Sequence, residues 1–188
     1  MFVIRRSVRN ANRLTTAGWG GSPVGEYETR FGSIDDFEKG GVLLVDDDPR
    51  NYVFSNVYEV ASMSAPFEKV AVAKNQEYVL EAVRVEGISP WRTAVHDEFA
   101  LVMSGEVIFE FVDLTDPPTE LPRQGSVELA STPVGPPMGR VVARHGHMVL
   151  LAANSAYRYE ADAPAALLVQ TMASSDTKYR WPEICQTR

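Results

Sequence analysis

The fold is decided by Glu-Phe-Ala-Leu-Val-Met-Ser-Gly, residues 98–105, together with Gly-His-Met-Val-Leu-Leu-Ala-Ala-Asn-Ser-Ala-Tyr, residues 146–157. Each stretch is a short apolar run beside a glycine, which is typical of a β-strand that meets a turn. Ser104-Gly105-Glu106 predicts a tight turn between two strands, because glycine adopts a positive φ without steric cost.

The chain after Pro66 continues this pattern outward from both stretches. Its segments are short, rich in Val, Leu and Phe, and bounded by Gly, Pro or Asn. The predicted strands are 69–73, 78–85, 98–103, 106–112, 140–144, 147–151, 157–160 and 165–172. Short strands at this spacing predict an all-β fold, a double-sheet jelly-roll barrel.

The remaining segments predict how the domain is organised. Residues 1–54 are rich in Gly and charge but carry aromatic side chains, which favours an extended N-terminal arm that orders against another surface. Residues 55–188 are the predicted barrel, and Ser55-Asn56 caps a short helix at its start. Residues 113–139 contain six prolines and predict a long loop. Trp181-Pro182 begins a short C-terminal helix.

Bulk composition excludes several classes of function. The formal net charge of −7 disfavours nucleic acid as a partner, because phosphate binding needs a basic surface. No apolar run approaches the roughly 20 residues that cross a bilayer, so we expect no membrane association. The N-terminal residues lack the apolar stretch of a secretory signal. The single cysteine, Cys185, permits no internal disulfide. We therefore expect a cytoplasmic protein.

The two deciding stretches resemble the paired motifs of the cupin β-barrel family. Glu98, Gly105 and Gly146 stand at the spacings of the family's carboxylate and turn glycines. The family's first two histidine positions fall on Trp91 and Thr93, or on Arg92 and Ala94 at the shorter spacing. The position of its last histidine is Tyr157. The resemblance therefore implies a vestigial site at Thr93, Glu98 and Tyr157, with no metal in this chain.

Glu98 and Tyr157 are the groups of this vestigial site for which we predict a direct contact. A carboxylate inside a barrel is costly unless it is paired, hydrogen-bonded or protonated. We therefore expect the Tyr157 hydroxyl to donate a hydrogen bond to Glu98, and a structural role for the pair outweighs acid–base catalysis.

Histidines provide the alternative hypotheses. His145 and His147 are two residues apart, so on a strand they would share a face, and with His96 and Glu98 they would form a displaced metal site. A metal-free acid–base enzyme using His96 and Tyr157 is a second form of a stand-alone cupin enzyme, such as an isomerase or lyase. A third hypothesis is a cupin that binds a small apolar molecule over Trp91.

Four phrases resemble a narrower family, the small subunit of two-subunit hydroquinone 1,2-dioxygenases; they occupy residues 52–56, 87–91, 96–101 and 180–185. The resemblance implies a heteromeric enzyme, with a heterotetramer as one arrangement, that cleaves the ring of an aromatic diol. Its larger cupin-bearing subunit would hold the non-haem Fe(II), and this chain would hold no cofactor and be inactive alone. It also implies that the arm wraps the large subunit. Such a subunit would either only bury apolar surface against its partner, or place an aromatic residue, Trp91 first and Trp19 second, against the partner's substrate pocket.

Overall fold

The computed structural model describes residues 32–37, 56–115 and 124–184. Except for residues 32–37, the predicted N-terminal arm and its Trp19 lie outside the described residues, as does Cys185. The described residues belong to one compact unit that begins at Gly32.

Within the described residues the chain forms nine strands and two short helices. In chain order these are α1 (Val57–Met63), β1 (Lys69–Lys74), β2 (Val79–Ile88), β3 (Arg92–Thr93), β4 (Glu98–Ser104), β5 (Glu106–Asp113), β6 (Val127–Glu128), β7 (Pro137–Arg144), β8 (Met148–Leu151), β9 (Ser155–Thr171) and α2 (Trp181–Ile184). The predicted all-β fold and both predicted helices are confirmed.

The long strand β9 joins the layers of the barrel. It pairs with β5 through residues 155–160, with β4 through residues 166–170, and with β2 on its other edge. Residues 157–160 and 165–172, predicted as two strands, are therefore parts of one strand. Pro164 lies where the β2 pairing shifts register between Val85 and Gly87, and such a bulge tolerates the missing N–H.

The turn at Gly105 is present as expected. Gly105 has a φ of +79°, and a Cβ at this position would lie 2.7 Å from the Cβ of Ala165 on β9. Glycine is therefore needed both for the left-handed backbone and for the close approach of β9.

Apolar side chains fill the barrel between β2, β4, β5 and β9. Val83, Val102, Phe109 and Leu167 are among the fully buried residues of this core. Helix α1 packs outside it, where the Tyr58 hydroxyl donates to the Met103 carbonyl over 3.1 Å. The Asn56 side chain accepts from the amide of Tyr58 and so caps the helix, as predicted.

The predicted loop of residues 113–139 contains more strand than the sequence indicates, within its described part. Strand β6 pairs with β3 through Glu128 and Arg92, and β7 begins at Pro137 instead of residue 140. Strands of two residues have no periodicity that a sequence pattern can reveal. This pairing matters for the site, because it fixes which way the side chains of β3 face.

Candidate functional site

Glu98 begins β4 and is fully buried inside the barrel. Tyr157 donates a hydrogen bond to its Oε2 atom, and Thr171 donates one to its Oε1 atom. The Nε2 atom of His96 lies 3.9 Å from Oε1. Both carboxylate oxygens are thus occupied by hydroxyl donors from β9, which offsets the cost of burial. The expected contact between Tyr157 and Glu98 is present.

Tyr157 is held as a neutral phenol in this contact. Burial raises the pKa of Tyr157 well above its ordinary value, and the neighbouring Tyr159 and Glu98 raise it further. The rings of Tyr157 and Tyr159 are 5.7 Å apart and tilted by 38°. The pair therefore forms an aromatic wall that donates hydrogen bonds and does not ionise near neutral pH.

The register of β3 identifies which residues face this wall. Arg92 pairs with Tyr157, and Thr93 pairs with Ala156. Residues paired across an antiparallel ladder share a face, so Arg92 faces the interior with Tyr157, and Thr93 faces the other way. The inward positions are therefore those of the shorter motif spacing, and Arg92 takes the place in the vestigial site that the sequence analysis gives to Thr93.

Thr93 and Trp91 lie on the opposite face of β3. Thr93 is fully buried there, and its hydroxyl has no hydrogen-bond partner within the part of the chain that the structure describes. The Trp91 ring is partly exposed and stacks on Arg158, whose guanidinium carbon is 4.7 Å from the ring centroid. Trp91 therefore lies on the outer side of the barrel.

Charged residues line the interior beside this site, and the sequence motifs indicate only one of them, Arg92. Lys69 and Arg92 are buried and both contact Asp176, with Lys69 Nζ 3.4 Å from Asp176 Oδ1. Arg92 also donates to the Ser126 carbonyl over 2.9 Å. Lys69 Nζ lies 3.4 Å from the fully buried Glu81. We call Lys69, Glu81, Arg92 and Asp176 the ion-pair network.

The pKa values of the two carboxyl groups in the network, Glu81 and Asp176, are shifted in opposite directions. Burial raises the pKa of Glu81, and the Lys69 ammonium lowers it only in part. Burial also tends to raise the pKa of Asp176, but the hydrogen bond from Ser174 and the charges of Lys69 and Arg92 lower it to about 2. Asp176 is therefore the ionised partner that the two buried cations share. The sequence signals for the network are Arg92 at a position of the cupin pattern, and Lys69 and Glu81 within predicted apolar strands.

The vestigial site does not fit a metal ion. Its carboxylate already accepts two hydroxyl hydrogen bonds, and a guanidinium and a phenol stand where the cupin pattern has imidazoles. Among residues 32–37, 56–115 and 124–184, no group of three or more His, Cys, Asp or Glu side chains is placed to hold a metal. Arg92 instead brings a fixed positive charge to the interior.

The displaced metal site is not assembled either. His145 and His147 are exposed in the turn between β7 and β8, where the Arg144 amide donates to His147 Nδ1 over 2.9 Å. The His147 carbonyl contacts Val102, four residues along β4 from Glu98, which corresponds to about 13 Å. Only His96 lies near Glu98.

A search for long apolar helices in the described segments finds none that could span a bilayer.

The fold and the site define a class: a cupin-type barrel with a buried carboxylate that accepts from two hydroxyl donors. Neither the protein-family models nor the curated proteins give a match to the chain. Among solved structures, it is 47% identical to a chain of hydroquinone 1,2-dioxygenase PnpCD, solved with Cd²⁺ and 4-hydroxybenzonitrile, with a TM-score of 0.80. It is also 47% identical to a chain of hydroquinone 1,2-dioxygenase from Sphingomonas sp. TTNP3, with 4-hydroxybenzoate bound and a TM-score of 0.81. Each match covers 87% of this chain and 99% of the other. The chain belongs to the hydroquinone 1,2-dioxygenase family.

This chain also resembles a second, longer chain in structures of the Sphingomonas enzyme. A chain in its complex with 4-nitrophenol is 18% identical, with a TM-score of 0.57, and the match covers 74% of this chain but 39% of that one. PnpCD with Fe³⁺ gives a similar match, at 14% identity. These likenesses show a shared fold in a longer chain.

Proposed function

We propose that this chain is the small, metal-free subunit of a heteromeric non-haem Fe(II) dioxygenase that cleaves the ring of hydroquinone. A larger cupin-bearing subunit holds the iron and the substrate, and this chain alone is inactive and cytoplasmic. The observation that carries the proposal is the 47% identity over 99% of one chain of two hydroquinone 1,2-dioxygenases. The longer chain of the same fold in these enzymes supports the larger partner.

The interior of this chain supports a role other than metal chemistry. Three positions of the cupin pattern, those of Arg92, Glu98 and Tyr157, are occupied by groups that already have other partners. Glu98 is held by Tyr157 and Thr171, and Arg92 is held by Ser126 and Asp176. Such an interior stabilises the barrel, and a stable barrel can present a fixed surface to a partner.

We propose Trp91 as the residue that meets the partner near its substrate pocket. It lies on the outer face of the barrel, and its stacking on Arg158 holds the indole in one orientation. An ordered, partly exposed indole suits a contact that excludes water from an aromatic substrate. Trp19 and the N-terminal arm are the second proposed contact, and they lie outside the described residues.

The test is to purify this chain alone, the longer cupin-bearing chain alone, and the two together. We expect stoichiometric iron in the longer chain and in the mixture, little in this chain, and ring cleavage of hydroquinone in the mixture. Stoichiometric iron in this chain alone, lost on His145→Ala or His147→Ala, would show that this chain is itself the metal-bearing enzyme.

A further inference from the structure

We propose that the barrel of this chain binds a small neutral hydroxyl compound, of the size of a single-ring phenol, through Glu81. The site is a cavity of about 410 Å³ between the start of β1, β2, β9 and the segment around Ser126. The inference uses only contacts within this chain and does not rest on the proposed function.

Glu81 provides the first observation, an acceptor atom without a donor. The residue is fully buried and lines the cavity. Its Oε1 atom accepts from the Thr177 hydroxyl over 2.6 Å, whereas its Oε2 atom accepts no hydrogen bond from the residues that the structure describes. A buried carboxylate oxygen is stabilised by every hydrogen bond that it accepts, so the cavity favours a ligand that donates a hydrogen bond to it.

Lys69, the nearest cation, meets this need only in part. An ammonium group has three protons to donate. Lys69 Nζ directs its hydrogen bonds to Ser174 over 2.9 Å, to Ser126 over 3.3 Å and to Asp176 over 3.4 Å. It also forms an ion pair with Glu81 Oε2 at 3.4 Å, and a carboxylate oxygen has a second lone pair that can accept from a further donor.

The charges of the lining determine the charge of the ligand. The cations Lys69 and Arg92 are matched by Glu81 and Asp176, and the charges of the exposed Glu128 and Lys178, also in the lining, cancel. Glu68, also in the lining, is paired with Arg180 at 3.7 Å. An anionic or cationic ligand would unbalance these buried charges at high cost, whereas a neutral hydroxyl compound would not.

The apolar part of the lining determines the shape of the ligand. Phe67, Val83 and Val169 contribute apolar surface, and the buried ring of Tyr159 closes the interior side. A cavity of about 150 Å³ is enough for benzene, so this one accommodates one ring with its substituents. Apolar walls with few convergent polar groups are typical of small-molecule sites.

The direct test is to soak crystals of the assembled protein with 4-bromophenol and to locate bromine by its anomalous scattering. We expect a bromine position in the barrel of this chain, with the phenol oxygen within hydrogen-bond distance of Glu81 Oε2. The matched probe is 4-bromoanisole, which has the same ring but no proton to donate, and we expect no bromine there. Absence of the 4-bromophenol peak, or equal occupancy by both probes, would overturn the proposal.

A solution measurement separates specific binding from occupancy at soaking concentration. Binding of 4-fluorophenol to the assembled protein is followed by ¹⁹F NMR, in wild type, Glu81→Gln and Glu86→Gln. Glu86 lies on the same strand but does not line the cavity. We expect Glu81→Gln to weaken one site about tenfold, or about 1.4 kcal/mol, and Glu86→Gln to leave it unchanged. Equal affinities in all three proteins would contradict the assignment.

Discussion

At the scale of single residues, the polar groups of this interior satisfy one another. The Tyr157 phenol donates a hydrogen bond to the Glu98 carboxylate, and the Arg92 guanidinium pairs with Asp176. Removing one group from a buried hydrogen-bond network leaves its partners unsatisfied, so single substitutions in this network should lower the stability of the fold. Tyr157 and Asp176 are the residues at which this sensitivity can be measured.

Tyr157→Phe tests the contact with Glu98. The change keeps the ring but removes the hydroxyl that donates to Oε2. We expect the free energy of unfolding to fall by about 1–3 kcal/mol, measured by urea denaturation, because a buried carboxylate oxygen loses its donor. The control is Tyr78→Phe at an exposed position, which we expect to change stability by less than about 0.5 kcal/mol. Equal losses in both variants would mean that the contact contributes nothing.

Asp176→Asn tests the ion-pair network through its pH dependence. The folded pKa of Asp176, about 2, is below its ordinary value of 3.8, so the ionised carboxylate stabilises the fold above the ordinary value. The stability difference between wild type and Asp176→Asn should be largest above about pH 5 and shrink as the pH falls towards 2. Denaturation curves between pH 2 and 7 measure it, with Asp162→Asn as a surface-charge control. A difference that stays constant or grows on acidification would rule out this role.

At the scale of elements, β3 and the motif turns determine how the site is built. Strand β3 has two residues, yet its pairing with β9 turns Arg92 inward and Thr93 outward. The turn glycines Gly105 and Gly146 both have a positive φ, but only Gly105 is approached by another strand. Substitutions at these two glycines therefore distinguish the cost of a side chain on left-handed backbone from the cost of a steric clash with β9.

Gly105→Ala and Gly146→Ala form a matched pair. Both place a side chain on left-handed backbone, at a cost of about 1–2 kcal/mol. At Gly105 the new Cβ also lies 2.7 Å from Ala165, whereas at Gly146 nothing lies within 4 Å. We expect Gly105→Ala to lose about 1–3 kcal/mol more than Gly146→Ala in urea denaturation, from the added overpacking. Equal losses would show that β9 moves away at no cost.

At the scale of the whole molecule, the proposed subunit acts through its outer surface. The partly exposed indole of Trp91 is held against Arg158 on that surface. Its proposed contribution is to cover a flat substrate in the partner's pocket, which excludes water from the reaction.

Trp91→Ala in the assembled enzyme tests this contribution. We expect kcat/KM for hydroquinone to fall about tenfold, through a higher KM or a lower kcat, while the complex stays intact on gel filtration. Trp91→Phe, which keeps a flat ring, should recover part of the loss. If Trp91→Ala instead prevents assembly, the residue is structural, and the proposed pocket contact loses its support.

The sequence by itself determined the strands around Glu98 and Gly105, the cap of α1 and the loss of the metal-binding imidazoles. These features depend on residue type and on spacing along one segment, which a pattern can show. Only the tertiary structure decided which face of β3 is inward, because a shift of one residue reverses every side chain of a strand. It also decided that Lys69 and Asp176, 107 residues apart, meet beside Arg92 and Glu81. Contacts of such separation depend on how β1, β2, β3 and the segment after β9 pack together, and no local pattern in the sequence encodes that arrangement.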